Sequence, residues 1–304
     1  MSKWTGADIP DQANRTVVIT GANSGLGLRS AEALASHGAR VVMACRDEAR
    51  AAAARDQVAA VARGDDPVVV RLDLSDLASV RACADEITES IGPLDVLMNN
   101  AGVMAIPLDR TADGFEMQFG TNHLGHFALT GLLLPALFKA DTPRVVTTSS
   151  ALHRTGRIHW DDLNAERRYG RWRAYGQSKL ANLLFTYELD RRARAAGSTL
   201  VSAAAHPGYA ATHLQSHSSN WLERGVMALG NIVTAQSDAM GALPQLYAAT
   251  VPDVQGGDYY GPDRRFGMRG HPAAAPSSAA ARDAEAAERL WALSEDLTGV
   301  TYVF

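Results

Sequence analysis

The chain has 304 residues, a formal net charge of −4, and 46% hydrophobic and 20% charged residues, the balance of an ordinary globular protein with room for one large α/β domain or two small ones. Its lysines and arginines are dispersed among acids, which leaves no basic stripe for nucleic acid. The two cysteines, Cys45 and Cys83, have no second Cys or His at zinc-site spacing, so reduced core thiols and no metal are expected.

The first fifteen residues, MSKWTGADIPDQANR, lack an apolar signal-peptide core, which makes the cytoplasm the expected location. Arg15 to Thr20 is a β-branched run ending at a glycine, Leu26 to His37 has helical spacing, and Arg40 to Ala44 is a second strand. An alanine-rich helix from Glu48 to Arg63, a strand from Pro67 to Leu72 and a helix carrying Leu77, Val80, Ala84, Ile87 and Ile91 on one face follow. Next come a strand from Asp95 to Met98, a long helix within Asp113 to Lys139, a strand from Arg144 to Thr148, a helix from Ala174 to Ala196 and a strand from Thr199 to Ala205. The longest apolar run, Phe127 to Phe138, contains Pro135 and is shorter than the roughly 20 residues that cross a bilayer. Six largely apolar strands alternating with helices predict a doubly wound, Rossmann-type parallel sheet covered on both faces. No linker divides the chain, so 1–304 is expected to be a single dinucleotide-binding domain. After Gly208 the rhythm breaks into a mixed segment from His213 to Thr234, then a helix, a brief strand at Asp258 to Tyr260, a loop from Pro272 to Ala281 and a final amphipathic helix near Asp283 to Leu297.

The first strand runs into Thr20-Gly21-Ala22-Asn23-Ser24-Gly25-Leu26-Gly27. Glycines at 21, 25 and 27, between a strand and a helix, leave room for a pyrophosphate against free N–H groups at the helix start. No Gly-Lys-Ser/Thr follows, which disfavours a nucleoside-triphosphate loop. Dinucleotide folds read the adenosine ribose with an acid at the end of the second strand, and here Arg46 stands in that place. A guanidinium suits a 2′-phosphate, so NADP(H) is preferred over NAD(H). The competing reading pairs Arg46 with Asp47 or Glu48 and leaves a carboxylate near a free 2′-hydroxyl.

Tyr175 and Lys179 lie four residues apart and share a helical face. A free phenol titrates near 10, and a neighbouring ammonium together with a nicotinamide cation is expected to lower Tyr175 by about three units, roughly 4 kcal/mol. Asn99-Asn100-Ala101-Gly102 follows the fourth strand, Asn122-His123-Leu124-Gly125 lies in the next helix, and Ser149-Ser150 ends the fifth strand. In residue type and order these motifs, with the glycine loop, resemble the short-chain dehydrogenase/reductase family over about residues 15–212. The stretches Asn122 to Phe127 and Ser178 to Phe185 are similar to its retinol-dehydrogenase-like branch.

The resemblance implies a hydride transfer between NADP(H) and an alcohol or carbonyl compound. Tyr175 would move the proton, Lys179 would lower its pKa and hold the nicotinamide ribose, and Ser150 would orient the reacting oxygen, with Ser149 as runner-up. Asn122 would fix a water chain behind Lys179, or be a helix-interior amide bonded to a nearby backbone group. For the cofactor it further implies Gly21, Asn23, Ser24, Gly25, Leu26 and Gly27 at the pyrophosphate, Asp73 and Leu74 at the adenine, and Asn100, Ala101 and Gly102 at the ribose. Pro207, Gly208 and Thr212 would flank the nicotinamide. The spacing from Ser150 to Tyr175 is longer than in most members, and Thr155 to Arg173 is expected as a surface loop near the substrate mouth. The segment 213–234 occupies the lid position, and its apolar residues fit a hydrophobic substrate. His153, His206 and His213 are expected to be structural or orienting. A catalytically silent NADP(H)-binding regulator is the alternative, and a homo-oligomer burying the helices within 113–139 and 174–196 is compatible with either.

Overall fold

The structure is a computed structural model that describes residues 3–208 and 236–304. Among these residues, eight strands form one sheet: β1 (Thr16–Thr20), β2 (Arg40–Cys45), β3 (Val68–Arg71), β4 (Val96–Asn99), β5 (Arg144–Thr148), β6 (Val201–Ala205), β7 (Tyr259–Arg264) and β8 (Arg269–Ala274). Their order is β3-β2-β1-β4-β5-β6-β7-β8. Every pairing is parallel except β7 with β8. The strand order reverses between β1 and β4, and a doubly wound sheet opens its binding crevice at the carboxyl ends of the strands there.

The helices are α1 (Gly25–Ser36), α2 (Glu48–Ala59), α3 (Leu77–Ser90), α4 (Gly125–Leu137), α5 (Arg171–Ala195), α6 (Asp238–Thr250) and α7 (Ala284–Thr298). Side chains alternate across the sheet, so Val18, Leu97 and Val145 join α3, α4 and α5 in one core. Val17, Ile19, Met98 and Val146 join α1, α2 and α6 in the other. No helix among the described residues is long and apolar enough to cross a membrane.

Two expectations need correction. The helix expected within 113–139 is broken: a short turn, Met117–Phe119, leads into a π turn, Gly120–Leu124, before α4 begins. A π turn inserts an extra residue and often marks a functional site. The stretch Pro272 to Ala281 is not all loop, because its start completes β8 and its end forms the 3-10 turn Ala279–Arg282. Pro272 is tolerated because β8 is an edge strand, where a missing N–H costs no ladder bond. The chain's own C-terminus also packs on α4 and α5. Trp291 of α7 stacks on Phe185 of α5 at 5.9 Å, and the Tyr302 hydroxyl donates to the Phe127 carbonyl at 2.6 Å. A side-chain carbon on Gly131 of α4 would lie 2.7 Å from both Tyr302 and Val300, so the tail seats directly on that helix.

Candidate active site

The glycine turn is built by backbone geometry that only glycine meets cheaply. Gly21 (φ 67°) and Gly25 (φ 52°) are left-handed, and a Cβ on Gly27 would fall 2.3 Å from the Gly21 carbonyl oxygen. Ser24 precedes α1 yet gives no side-chain cap, so the first-turn N–H groups keep their need for an acceptor. A cleft of about 360 Å³ opens above them, lined by Gly21, Asn23, Ser24, Gly25, Leu26 and Gly27. Arg46, Asp73, Leu74, Asn100, Ala101 and Gly102 close its other walls. Uncapped donors at a helix start, with no side chain filling the space over them, fit a dinucleotide pyrophosphate.

Arg46 is exposed on that wall, and among the described residues no ion pair to it is found. Its acidic neighbours are engaged elsewhere: Asp47 caps α2 through the Arg50 N–H at 3.0 Å and pairs with the Arg50 guanidinium at 3.4 Å. Glu48 faces Arg71 at 3.7 Å. Asp73 accepts from the Ser75 hydroxyl at 2.6 Å and holds the turn after β3. Asn100 donates to the Thr20 carbonyl at 2.8 Å and accepts from Gln245 at 3.1 Å. Gln245 also donates to Ser30 of α1 and accepts from Thr148 of β5, and thereby ties the ends of β4 and β5 to α1.

The catalytic candidates lie past the Gly102 end of this cleft. A Cβ on Gly102 would be 2.9 Å from Asn122 Oδ1 and 3.5 Å from Lys179 Nζ, so the loop after β4 and the π turn meet there. The Asn122 amide accepts from Val103 N–H at 2.8 Å and donates to Val103 carbonyl and Ser178 hydroxyl, each at 2.9 Å. Both arms are thus spent on holding neighbours. Lys179 Nζ donates to the Thr148 carbonyl at 3.0 Å and lies 5.7 Å from the Tyr175 ring centre. Burial pushes the Lys179 ammonium down to about 8.

The two serines are separated by the strand pleat. Ser149 is buried and donates to the Lys179 carbonyl at 2.8 Å, whereas Ser150 stands beside the Tyr175 phenol and acts to lower its pKa. Ser150 also accepts from Leu152 N–H at 3.2 Å, which fixes its rotamer at the start of a 3-10 turn, Ala151–Arg154. That turn packs on α5 by a glycine-to-glycine contact: a Cβ on Gly156 would lie 2.2 Å from the Gly176 carbonyl oxygen, next to Tyr175. The protein's own groups do not lower the phenol as expected. Burial pushes Tyr175 up to about 12, against the opposing effect of Ser150.

Pro207 accepts from Gln236 at 2.7 Å, and Gly208 is left-handed and packs on Met268; neither lines the cleft. Thr212, His213 and the expected lid at 213–234 lie outside the described residues. His153 donates from Nδ1 to the Ser150 carbonyl at 2.6 Å and so steadies the serine turn, while His206 accepts from Gly208 N–H at 3.2 Å. The Thr155 to Arg173 segment is largely irregular until α5 starts, and its Tyr169 hydroxyl bonds the Ile106 carbonyl at 2.7 Å. No cluster of metal-ligating side chains occurs among the described residues. Sequence reasoning passed over Gly156, Thr20 and Gln245, which carry no chemistry of their own and act only through partners distant in the chain.

This geometry is that of a nicotinamide-dependent oxidoreductase. The model of the short chain dehydrogenase family matches residues 15–223, and the chain belongs to that family. Among its relatives, retinol dehydrogenase 14 of Mus musculus is 42% identical over 308 residues, covering 97% of this chain and 89% of the relative. Retinol dehydrogenase 12 of Homo sapiens is 40% identical over 290 residues, covering 95% and 87%. A crystal structure of a protein from Mycobacterium paratuberculosis shares 48% identity, covers 100% of both chains and superposes with a TM-score of 0.83. A short chain dehydrogenase from Shigella flexneri 2a, complexed with NADP, shares the fold at TM-score 0.66 and 22% identity, covering 82% of this chain and 97% of its own.

Proposed function

We propose that the chain is an NADP(H)-dependent dehydrogenase/reductase that interconverts a hydrophobic alcohol and its carbonyl compound. The observation that carries the NADP(H) preference is Arg46, a cation on the cleft wall whose acidic neighbours are already paired. Arg50 lines the same wall, where its pairing with Asp47 offsets the carboxylate that a 2′-phosphate would otherwise meet.

When bound, the nicotinamide supplies the hydride or takes it up. Gly21 to Gly27 would hold the pyrophosphate, Asp73 and Leu74 the adenine, Asn100 to Gly102 the adenosine ribose, and Pro207, Gly208 and Thr212 the nicotinamide side. Ser150 would orient the substrate oxygen by donating to it, and Tyr175 would pass its phenolic proton to that oxygen during reduction. A phenol held well above neutrality keeps that proton available, which suits carbonyl reduction. Lys179, as a cation beside the ring, would offset the negative charge left on Tyr175, and Asn122 holds the Val103 backbone and Ser178 around it. Trp172, 44% exposed and edge-on to Tyr175 at 6.4 Å, gives the approach to the phenol an apolar wall. That wall, and the names of the relatives, support a lipophilic substrate of the retinol and retinal type. The two free, buried thiols suit a reducing compartment, and the cytoplasm is the proposed setting.

Initial rates with retinal, long-chain aliphatic and aromatic aldehydes, each with NADPH and with NADH, test the proposal. Turnover of an apolar aldehyde with NADPH preferred is expected. A preference for NADH would overturn the cofactor assignment, and dinucleotide binding without turnover on any carbonyl would restore the silent regulator.

A further inference from the structure

His126 stands in the first turn of α4, just after the π turn, and is 1% exposed. Its Nδ1 is 3.0 Å from the Asn122 carbonyl oxygen, and its Nε2 is 2.9 Å from Thr20 Oγ1. A carbonyl only accepts, so Nδ1 carries the ring proton. Burial, with the Lys179 charge acting in the same direction, pushes His126 down to about 4 and outweighs the Asn122 carbonyl, so the ring is neutral and Nε2 is bare. Thr20 must then donate to Nε2. Its hydroxyl oxygen keeps both lone pairs for the Asn100 and Ala101 N–H groups, each at 2.9 Å.

Every proton in this chain of bonds is assigned, and it continues beyond Asn122. The Asn122 amide donates to Ser178 Oγ, and Ser178 donates to the Tyr175 carbonyl, both at 2.9 Å. One buried line of hydrogen bonds therefore runs from the Asn100–Ala101 wall of the cleft, through Thr20 and His126, to the backbone of Tyr175. His126 is its only imidazole, and it joins the strand-end loop to the π turn in addition to the direct Asn122–Val103 bonds.

We propose that His126 is a positioning residue with two separable duties: Nε2, through Thr20, sets the loop that receives the dinucleotide, and Nδ1, through Asn122, sets the turn that orients Tyr175. The inference rests on the dehydrogenase reading for its second duty and on the dinucleotide cleft for its first. A purely space-filling histidine would make both properties fail together with stability. Two separable duties instead predict that they come apart.

His126→Asn keeps an amide near the position of Nδ1 and loses the reach to Thr20, whereas His126→Gln keeps an amide near Nε2 and loses the Asn122 carbonyl. The test measures NADPH Kd by fluorescence titration and kcat at saturating NADPH for both variants, beside their melting temperatures. The Asn variant is expected to weaken NADPH about tenfold with a smaller loss of kcat, and the Gln variant to lower kcat about tenfold with a smaller change in Kd, each the effect of one buried bond left unmade. Parallel losses in both variants, or no loss in either, would overturn the proposal. Where neither variant folds, Thr20→Val takes over the test, and an NADPH Kd within threefold of the parent protein would overturn it. Absence of turnover in the parent protein would count against the dehydrogenase reading alone, because the NADPH titrations still report on the first duty.

Discussion

Gly156→Ala isolates the placement of Ser150 against Tyr175. The added methyl would sit 2.2 Å from the Gly176 carbonyl oxygen, and an ordinary contact begins near 3.4 Å, so the serine turn and α5 must part by about 1.2 Å (3.4 − 2.2). Both sides of the contact are backbone, and Leu180 lies 3.0 Å from the same carbon, so no flexible side chain can yield. Overpacking of this kind costs about 1–3 kcal/mol of stability. A misplacement of about 1 Å in a reacting constellation costs on the order of 100-fold in rate. Ser150, at the start of the 3-10 turn, and Tyr175 of α5 stand on either side of this same junction, and the dinucleotide cleft does not include Gly156. Initial rates at saturating NADPH, together with NADPH titration and a melting curve, read the effect. The expected result is a kcat reduced about 100-fold with NADPH Kd close to that of the parent protein. A kcat within threefold of the parent with an unchanged melting temperature would refute the close-packed junction.

Arg46→Ala should weaken NADPH by about 10- to 100-fold, the loss of one charge-assisted contact of roughly 1.5–3 kcal/mol, and leave NADH nearly unaffected; equal losses for the two dinucleotides, measured as kcat/KM, would contradict it. Trp172→Ala should raise KM for bulky apolar aldehydes more than for acetaldehyde, and an equal change for both would remove the indole from the substrate path. Stability should fall on acidification through three buried histidines: burial depresses His123 to about 3 and His126 and His206 to about 4. Each therefore stabilises the fold fully above the unfolded value near 6.5, and the contribution is lost as pH falls from there toward the folded values, because the unfolded chain binds the extra protons. At pH 5 the loss is roughly 2 kcal/mol per histidine, so the urea midpoint should drop steeply between pH 7 and 5; a flat profile across that window would contradict their neutral burial.

Much of the scaffold was legible because strands and glycines carry local signals. The β-branched runs at 16–20, 40–45 and 144–148 fell within a residue of the expected strands, and the Gly21-to-Gly27 turn follows from positive φ values and close approach. The break at Gly120–Leu124 was not legible, since a π turn shares its residue preferences with the α-helix around it. The covering of α4 and α5 by residues 284–304 depends on contacts such as Phe127–Tyr302, far apart in sequence. Strand alternation separates Ser149 from Ser150, and Ser149 is engaged by the Lys179 carbonyl while Ser150 acts on the Tyr175 phenol. The burial that raises Tyr175 in the chain alone was not legible, because desolvation depends on how deeply α5 packs and not on the spacing of Tyr175 and Lys179.

The central claim is that the Tyr175 phenol moves the proton beside a dinucleotide held by the glycine turn, and Tyr175→Phe tests it with the fewest assumptions. With NADPH absorbance followed at saturating aldehyde and NADPH binding titrated separately, the account predicts near-complete loss of turnover and an unchanged Kd. Turnover comparable to that of the parent protein would contradict it.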